Sequence, residues 1–122
     1  MTQQDHESLD CLRARLRLVV ERVREAVPGA SANFFEVKRD GVAHLCASSL
    51  ATPSADTVDL CLEVRVAHGR LVVAADLVVG GTGEVLGSLD DAVAMPGGQL
   101  PVAFVDFIDE QERRIIDRLK RP

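Results

Sequence analysis

The chain has 122 residues, of which 47% are hydrophobic and 27% charged, and its formal net charge is −5 at pH 7. This length and composition predict a single folded α+β domain, residues 1–122, with a modest core. No apolar stretch approaches the roughly 20 residues of a membrane helix, and the N-terminal sequence MTQQDHESLD is too acidic and polar for a signal peptide. We therefore expect a cytoplasmic protein without a membrane partner.

The negative charge is concentrated in the middle of the chain. Residues 51–100 carry seven acidic and two basic side chains, whereas the segments before and after them are balanced. A surface with this charge repels phosphate backbones. A chain with no Trp, no Tyr and four Phe also offers few rings on which bases could stack. We therefore expect no nucleic-acid partner.

Residues 7–27 have the spacing of an amphipathic helix, because leucine and valine recur every three or four residues. The predicted apolar stripe consists of Leu9, Leu12, Leu16, Val19, Val20, Val23 and Val27. Five arginines surround this stripe, and they indicate either a solvated helix face or, less simply, an anion-binding patch. Pro28 and Gly29 are expected to end the helix, since a residue before proline avoids helical angles.

Residues 33–49 predict a short hairpin that turns near Gly41. A two-residue turn would set the apolar Val37 against His44, so we predict a three-residue loop, residues 39–41, with Gly41 in the left-handed conformation. The resulting predicted pairs are Phe35 with Leu45, Val37 with Ala43 and Glu36 with His44. A loop that contains Pro53 then leads into the next strand.

Residues 57–79 predict the main hairpin of the fold. Apolar residues alternate with polar or small ones along both arms, which is the pattern of strands with one face in a core. A two-residue turn at His68 and Gly69 aligns the apolar faces of both arms, and a slip of one residue would move one of them into water. The predicted pairs are Val66 with Leu71, Val64 with Val73, Leu62 with Ala75 and Leu60 with Leu77. Leu62 and Val64 should lie at the centre of the core.

The rest of the chain predicts a short fifth strand and two helices. Residues 84–86 are expected to return along the second arm of the main hairpin, and Ser88 with Asp91 has the spacing of a capping box that would start a short helix through Ala94. Residues 95–98, Met-Pro-Gly-Gly, would end that helix. Pro101 opens a final helix, in which acidic residues come first and basic residues last, as the helix dipole favours. Its apolar stripe consists of Phe104, Ile108, Ile115 and Leu119.

These elements predict an α+β fold. An antiparallel sheet of four to five strands, built from two consecutive hairpins, needs a cover for its apolar face, and the N- and C-terminal helices are long enough to provide it. Terminal helices around a strand meander are loosely similar to secretion chaperones and toxin-immunity proteins. No motif in the sequence assigns the chain to either family.

No pattern of residues indicates catalysis or metal binding, and we expect no cofactor. The cysteines Cys11, Cys46 and Cys61 are widely spaced and fit reduced thiols, with a redox role as the less common alternative. A site that joins His44, Glu36 and Cys46, with the cysteine as nucleophile, is a weaker possibility. The histidines are not spaced as metal ligands.

The sequence favours a non-catalytic protein-binding module that is adaptor-like, chaperone-like or immunity-like. The second face of the sheet mixes acidic and apolar residues, which favours a basic protein partner or a homodimer in which Arg65 and Arg70 meet Glu63 and Asp76 of the other copy. The predicted interface residues are Phe34, Glu36, Asp59, Glu63, Arg65, Val72, Ala74, Asp76 and Val78. The alternative is a small enzyme or ligand-binding domain that uses the glycine-rich loop 80–88, through Gly81, Thr82, Gly83 and Gly87.

Overall fold

The structure, a computed structural model, describes residues 2–93 and 101–121. A five-stranded antiparallel sheet lies between an N-terminal and a C-terminal helix in the chain, which confirms the α+β class. The elements are α1 (Gln3–Ala26), β1 (Ser31–Arg39), β2 (Val42–Leu50), β3 (Val58–Ala67), β4 (Arg70–Val79), β5 (Val85–Val93) and α2 (Val102–Lys120). The strands pair in sequence order, so β1 and β5 form the two edges.

Helix α1 begins four residues earlier than the apolar stripe predicts. Thr2 is its N-cap, and the Thr2 hydroxyl accepts a hydrogen bond from the Asp5 amide (3.2 Å) while the Asp5 carboxylate accepts one from the Thr2 amide (2.9 Å). This reciprocal capping satisfies two amides that the helix leaves without partners. The helix ends at Ala26, and the cap residue Val27 directly precedes Pro28, as predicted.

The main hairpin has the predicted register. All four predicted pairs are present, and the turn residues His68 and Gly69 both have positive φ, 52° and 73°. Leu62 and Val64 are 1% and 0% exposed, so they lie in the core as expected. The predicted stripes of α1 and α2 supply the other side of this core. Both helices therefore cover the face of the sheet that carries Leu62.

The predicted three-residue loop between β1 and β2 is wrong. Residues Asp40 and Gly41 form a two-residue turn, with φ of 53° and 78°, and Val37 pairs with His44. Aspartate tolerates the left-handed conformation better than most residues, so Asp-Gly can adopt the turn that favours right-twisted strands. The register of β1 is consequently shifted by one residue from the prediction, and each β1 side chain faces the opposite side of the sheet.

Strand β5 replaces the predicted short helix. It continues from Val85 to Val93 beside β4, with register shifts between Val73 and Ala75 and between Leu77 and Val78 of β4. The predicted capping box at Ser88 is therefore wrong. Pairing with β4 gives the backbone of β5 the hydrogen bonds that a helix would otherwise provide. The predicted end of the helix, residues 95–98, lies outside the described residues.

Helix α2 begins at Val102, with Pro101 as its N-cap. The four predicted stripe residues are buried, and so is Gln111, which lies between them on the same stripe. Within the two described ranges, neither helix has the length and apolar character needed to cross a membrane.

The arginines of α1 are largely used in contacts within the protein. Arg13 donates to both carboxylate oxygens of Glu36, at 2.5 and 2.8 Å, and Arg15 forms an ion pair with Asp109 of α2. The Arg17 guanidinium lies 4.9 Å from the centre of the Phe34 ring. The sequence predicted a solvated arginine face, but these three arginines instead connect α1 to β1 and to α2.

Candidate binding face of the sheet

The side of the sheet that the helices leave uncovered is called the open face. Its side chains follow from the pairing, because residues opposite each other in a sheet share a face and neighbours along a strand alternate. The open face includes Phe35, Val37, His44, Cys46, Ser48, Asp59, Cys61, Glu63, Arg65, Arg70, Val72, Ala74, Asp76, Val78, Val85, Ser88 and Asp90. Seven of the nine predicted interface residues belong to it.

Phe34 and Glu36 are the two predicted interface residues that lie on the helix side. The one-residue shift of β1 turns both toward α1, where Phe34 packs beneath Arg17 and Glu36 binds Arg13. Hydrogen bonds from the Arg13 guanidinium hold the pKa of Glu36 below its usual value. The shift brings Phe35 and Val37 onto the open face instead, and these side chains are 48% and 44% exposed.

The centre of the open face is a shallow cavity of about 340 Å³, here called the acidic groove. It is lined in part by Cys61, Glu63, Asp76, Ser88 and Asp90. Three of these five side chains are carboxylates, and they come from three neighbouring strands. The cavity is large enough for one long side chain to enter from a bound partner.

Asp76 has the least favourable electrostatic environment in the acidic groove. Partial burial raises the pKa of Asp76 above its usual 3.8, and the negative charge of Glu63 raises it further. Among the described residues, no salt bridge connects Asp76 with a basic side chain. Within residues 2–93 and 101–121, the acidic groove therefore holds a half-buried carboxylate that no basic side chain pairs with.

The basic residues of the open face lie toward one end. Arg65 is opposite Val72, and Arg70 begins β4 at the turn between β3 and β4. The Arg65 guanidinium is 3.9 Å from the Glu63 carboxylate of the same chain. Val72 is only 7% exposed although it lies on this face. Accessible apolar side chains of the open face thus lie on its two edge strands, with Phe35 and Val37 on β1 and Val85, opposite Val78 and 57% exposed, on β5.

Two of the three cysteines meet on the open face. Cys46 and Cys61 occupy directly opposite positions on β2 and β3, and their sulfur atoms are 2.7 Å apart. Cys46 is 7% exposed, Cys61 is half-buried, and both are free thiols. Cys11 is exposed on α1, which packs on the other side of the sheet. Sequence spacing could not predict this pair, because the two residues belong to different hairpins.

The proposed glycine-rich ligand loop is not gathered into one place. Gly81, Thr82 and Gly83 form an exposed turn after β4, whereas Gly87 lies within β5, where a Cβ atom would come within 2.6 Å of Gln111 Oε1. The amide of Gly83 donates to the Val79 carbonyl at 2.8 Å, so it is already used inside the turn. This arrangement does not resemble a phosphate-binding loop, whose amides converge on a ligand.

The structure also separates the residues of the weaker catalytic hypothesis. His44 and Cys46 lie on the open face, whereas Glu36 lies on the helix side and binds Arg13. A proton-transfer chain through these three residues has no continuous path, because the sheet lies between them. Within residues 2–93 and 101–121, no group of three histidine, cysteine or acidic side chains is arranged to hold a metal ion.

Sequence reasoning missed the contribution of β5 to this face. Ser88 and Asp90 line the acidic groove because β5 continues beyond residue 86. The alternation of Leu89 with the polar Ser88 and Asp90 was a signal for a strand, but Gly87 and the apparent capping box obscured it. Comparisons of the chain with protein-family models, with curated proteins and with solved structures find no match.

Proposed function

We propose that this protein is a non-catalytic binding module whose open face holds a protein segment with a lysine or arginine side chain in the acidic groove. The half-buried Asp76 carboxylate is the observation that carries this proposal. Burial and Glu63 both disfavour its charge, and among the described residues no salt bridge compensates it. A cationic side chain from a partner would neutralise this charge where water is partly excluded, so each charged contact there is stronger than at an exposed surface.

Apolar contacts beside the groove would add area to such an interface. Val37 is directly opposite His44, which lines the groove, and Phe35 is opposite Cys46, so the two side chains form an apolar edge on β1 beside the groove. Aromatic residues next to a polar centre are common in protein interfaces. A partner segment that crosses the strands would place its basic residue in the groove and its apolar residues against β1.

A basic partner fits this face better than a second copy of the chain. A twofold face-to-face dimer centred on the groove would bring Glu63, Asp76 and Asp90 of one copy toward the same carboxylates of the other. Like charges facing each other across an interface cost affinity. The predicted contact of Arg65 with another copy would also compete with its contact to Glu63 within the chain.

This proposal keeps the expected class, an adaptor-like, chaperone-like or immunity-like module of the cytoplasm. Each of these functions needs a stable surface that recognises another protein. None of them needs catalytic groups. The helix side of the sheet is filled by the core, so it leaves the open face for recognition. Fractionation of the native host is the measurement that tests the cytoplasmic location.

The proposal can be tested with two labelled peptides, one of alternating lysine and valine and the other of alternating glutamate and valine. Fluorescence anisotropy should show binding of the lysine peptide and none of the glutamate peptide. Asp76→Asn should weaken this binding roughly fivefold, which corresponds to a charged contact of about 1 kcal/mol.

The matched control is Glu84→Gln, which removes one negative charge from an exposed turn residue outside the groove. Its effect on the affinity should be much smaller than that of Asp76→Asn. Equal losses in the two variants would mean that the peptide responds only to net charge, and the groove would not be the binding site. Sedimentation of the unliganded protein should show a monomer, and a stable dimer sensitive to Val78→Lys would favour self-association instead.

A further inference from the structure

The positions of Cys46 and Cys61 in the sheet are compatible with a disulfide between them. They are directly opposite each other in the antiparallel ladder of β2 and β3. Opposite residues in such ladders have Cα separations of about 4.5 to 5.5 Å, and disulfides span Cα separations of about 4.4 to 6.8 Å. Both side chains are on the open face, and their sulfur atoms are already 2.7 Å apart.

The surroundings of this pair allow a small oxidant to reach it. Cys61 lines the acidic groove, which is open to solvent, while Cys46 is packed behind it with 7% of its surface exposed. The third cysteine, Cys11, is on a helix that packs against the opposite side of the sheet. Cys46 and Cys61 are therefore placed to react with each other and not with Cys11.

We propose that Cys46 and Cys61 form a redox-active dithiol that hydrogen peroxide converts into a cross-strand disulfide. The thiolate of one cysteine of the pair attacks one peroxide oxygen, the O–O bond breaks and hydroxide leaves, so that cysteine becomes a sulfenic acid. The sulfur of the other cysteine then displaces that oxygen, which departs as water with the proton of the second thiol. The two sulfurs lose two electrons in total, and the peroxide gains them.

The charged and polar surroundings of the pair make its oxidation depend on pH. The hydrogen bond with Cys61 lowers the pKa of Cys46, whereas the same hydrogen bond and partial burial raise the pKa of Cys61. The negative charges of Asp59 and Asp76 oppose the lowering of the Cys46 pKa and add to the raising of the Cys61 pKa, because a nearby negative charge disfavours a thiolate. Because the thiolate is the reactive form, the rate of disulfide formation should increase with pH.

The test is oxidation of the full chain by hydrogen peroxide, followed by mass spectrometry under non-reducing conditions. The expected product has lost the mass of two hydrogen atoms and keeps one of its three thiols. Cys46 and Cys61 share the tryptic peptide 40–65, so a second cleavage before Asp56 is needed to show that a disulfide joins the two halves. A disulfide that includes Cys11, or oxygen added to cysteines without a disulfide, would overturn the proposal.

Three variants sharpen this result. Cys11→Ser should oxidise as the wild type does, because its cysteine pair is intact. Cys46→Ser and Cys61→Ser each keep one thiol of the pair, so neither should form the disulfide, and dimedone should trap a sulfenic acid on the remaining thiol of at least one of them. No trapped sulfenic acid in either variant would contradict the proposed oxidation. None of these measurements involves a bound partner, so the disulfide and the proposed binding function can fail independently.

Discussion

Replacing Asp76 with asparagine is expected to stabilise the isolated protein at neutral pH, although most substitutions destabilise. The Asp76 carboxylate is half-buried, and its pKa is raised by burial and by the charge of Glu63. Asparagine has nearly the same shape and no charge, so it removes both unfavourable contributions. A functional surface that sacrifices stability for recognition would show this behaviour.

The size of the stabilisation by Asp76→Asn follows from the positions of Asp76 and Glu63 in the sheet. Asp76 pairs with Cys61, two residues before Glu63, so the carboxylates are diagonal neighbours on the same face. Cross-strand pairs contribute roughly 0.2 to 1 kcal/mol, and like charges act in the unfavourable direction. We therefore expect Asp76→Asn to raise the free energy of unfolding by about 0.5 to 1 kcal/mol, a Tm increase of about 2 to 5 °C.

The gain in the free energy of unfolding from Asp76→Asn must also depend on pH. A carboxyl group whose folded-state pKa is raised above its unfolded value favours the folded state when it is protonated, and that contribution is lost as the pH rises through the folded-state pKa. The advantage of Asp76→Asn should therefore be full at pH 7 and should shrink as the pH falls toward the unfolded value of 3.8. Urea unfolding followed by circular dichroism at several pH values measures both the stability gain at pH 7 and its decrease at lower pH.

Glu84→Gln is the control in this experiment as well, because it removes the same charge from an exposed turn. It should change the free energy of unfolding by less than about 0.5 kcal/mol. An Asp76→Asn variant that is less stable than the wild type at pH 7 would show that Asp76 has a favourable partner in the folded protein. The electrostatic account of the acidic groove would then be wrong.

Three further substitutions test the fold. Leu62→Ala should lower the free energy of unfolding by about 2 to 5 kcal/mol, because Leu62 is 1% exposed at the centre of the sheet; an unchanged urea midpoint would contradict this. Gly69→Ala should cost on the order of 1 kcal/mol through its φ of 73° alone, since a Cβ there meets no atom within 4 Å, and equilibrium unfolding measures it. Glu36→Gln should cost about 1 kcal/mol at pH 7, and because the pKa of Glu36 is lowered below 4.5, the difference between wild type and variant should vanish as the pH falls through the folded-state pKa.

The sequence predicted the elements in which local pattern and tertiary burial agree. In residues 57–79 the apolar alternation and the turn glycine both specify one register, and the structure has that register. The terminal helices were predictable for the same reason, since their apolar stripes face the core. At β1 the two signals disagree, because Phe35 and Val37 are apolar but lie on the open face. The apolar pattern favoured the register that pairs Phe35 with Leu45. The two-residue Asp-Gly turn instead gives the observed register, in which Phe35 pairs with Cys46.

The acidic groove was predictable only in part. Glu63 and Asp76 are on the main hairpin, so their shared face follows from its alternation. Asp90 depends on the pairing of β5 with β4, and local signals favoured a helix at that point. The contact between Cys46 and Cys61 depends on which strand lies next to which, and the spacing of residues in a sequence does not determine that order.

The central claim, that the open face binds a basic protein segment, is tested most directly by mapping the bound surface. Backbone amide resonances of the isotope-labelled protein would be followed by NMR while the peptide of alternating lysine and valine is added. We predict that the largest shifts occur at Glu63, Asp76 and their neighbours on β3, β4 and β5, and that they are much smaller in Asp76→Asn. Shifts centred on α1 or α2, or equal shifts in both proteins, would contradict the claim.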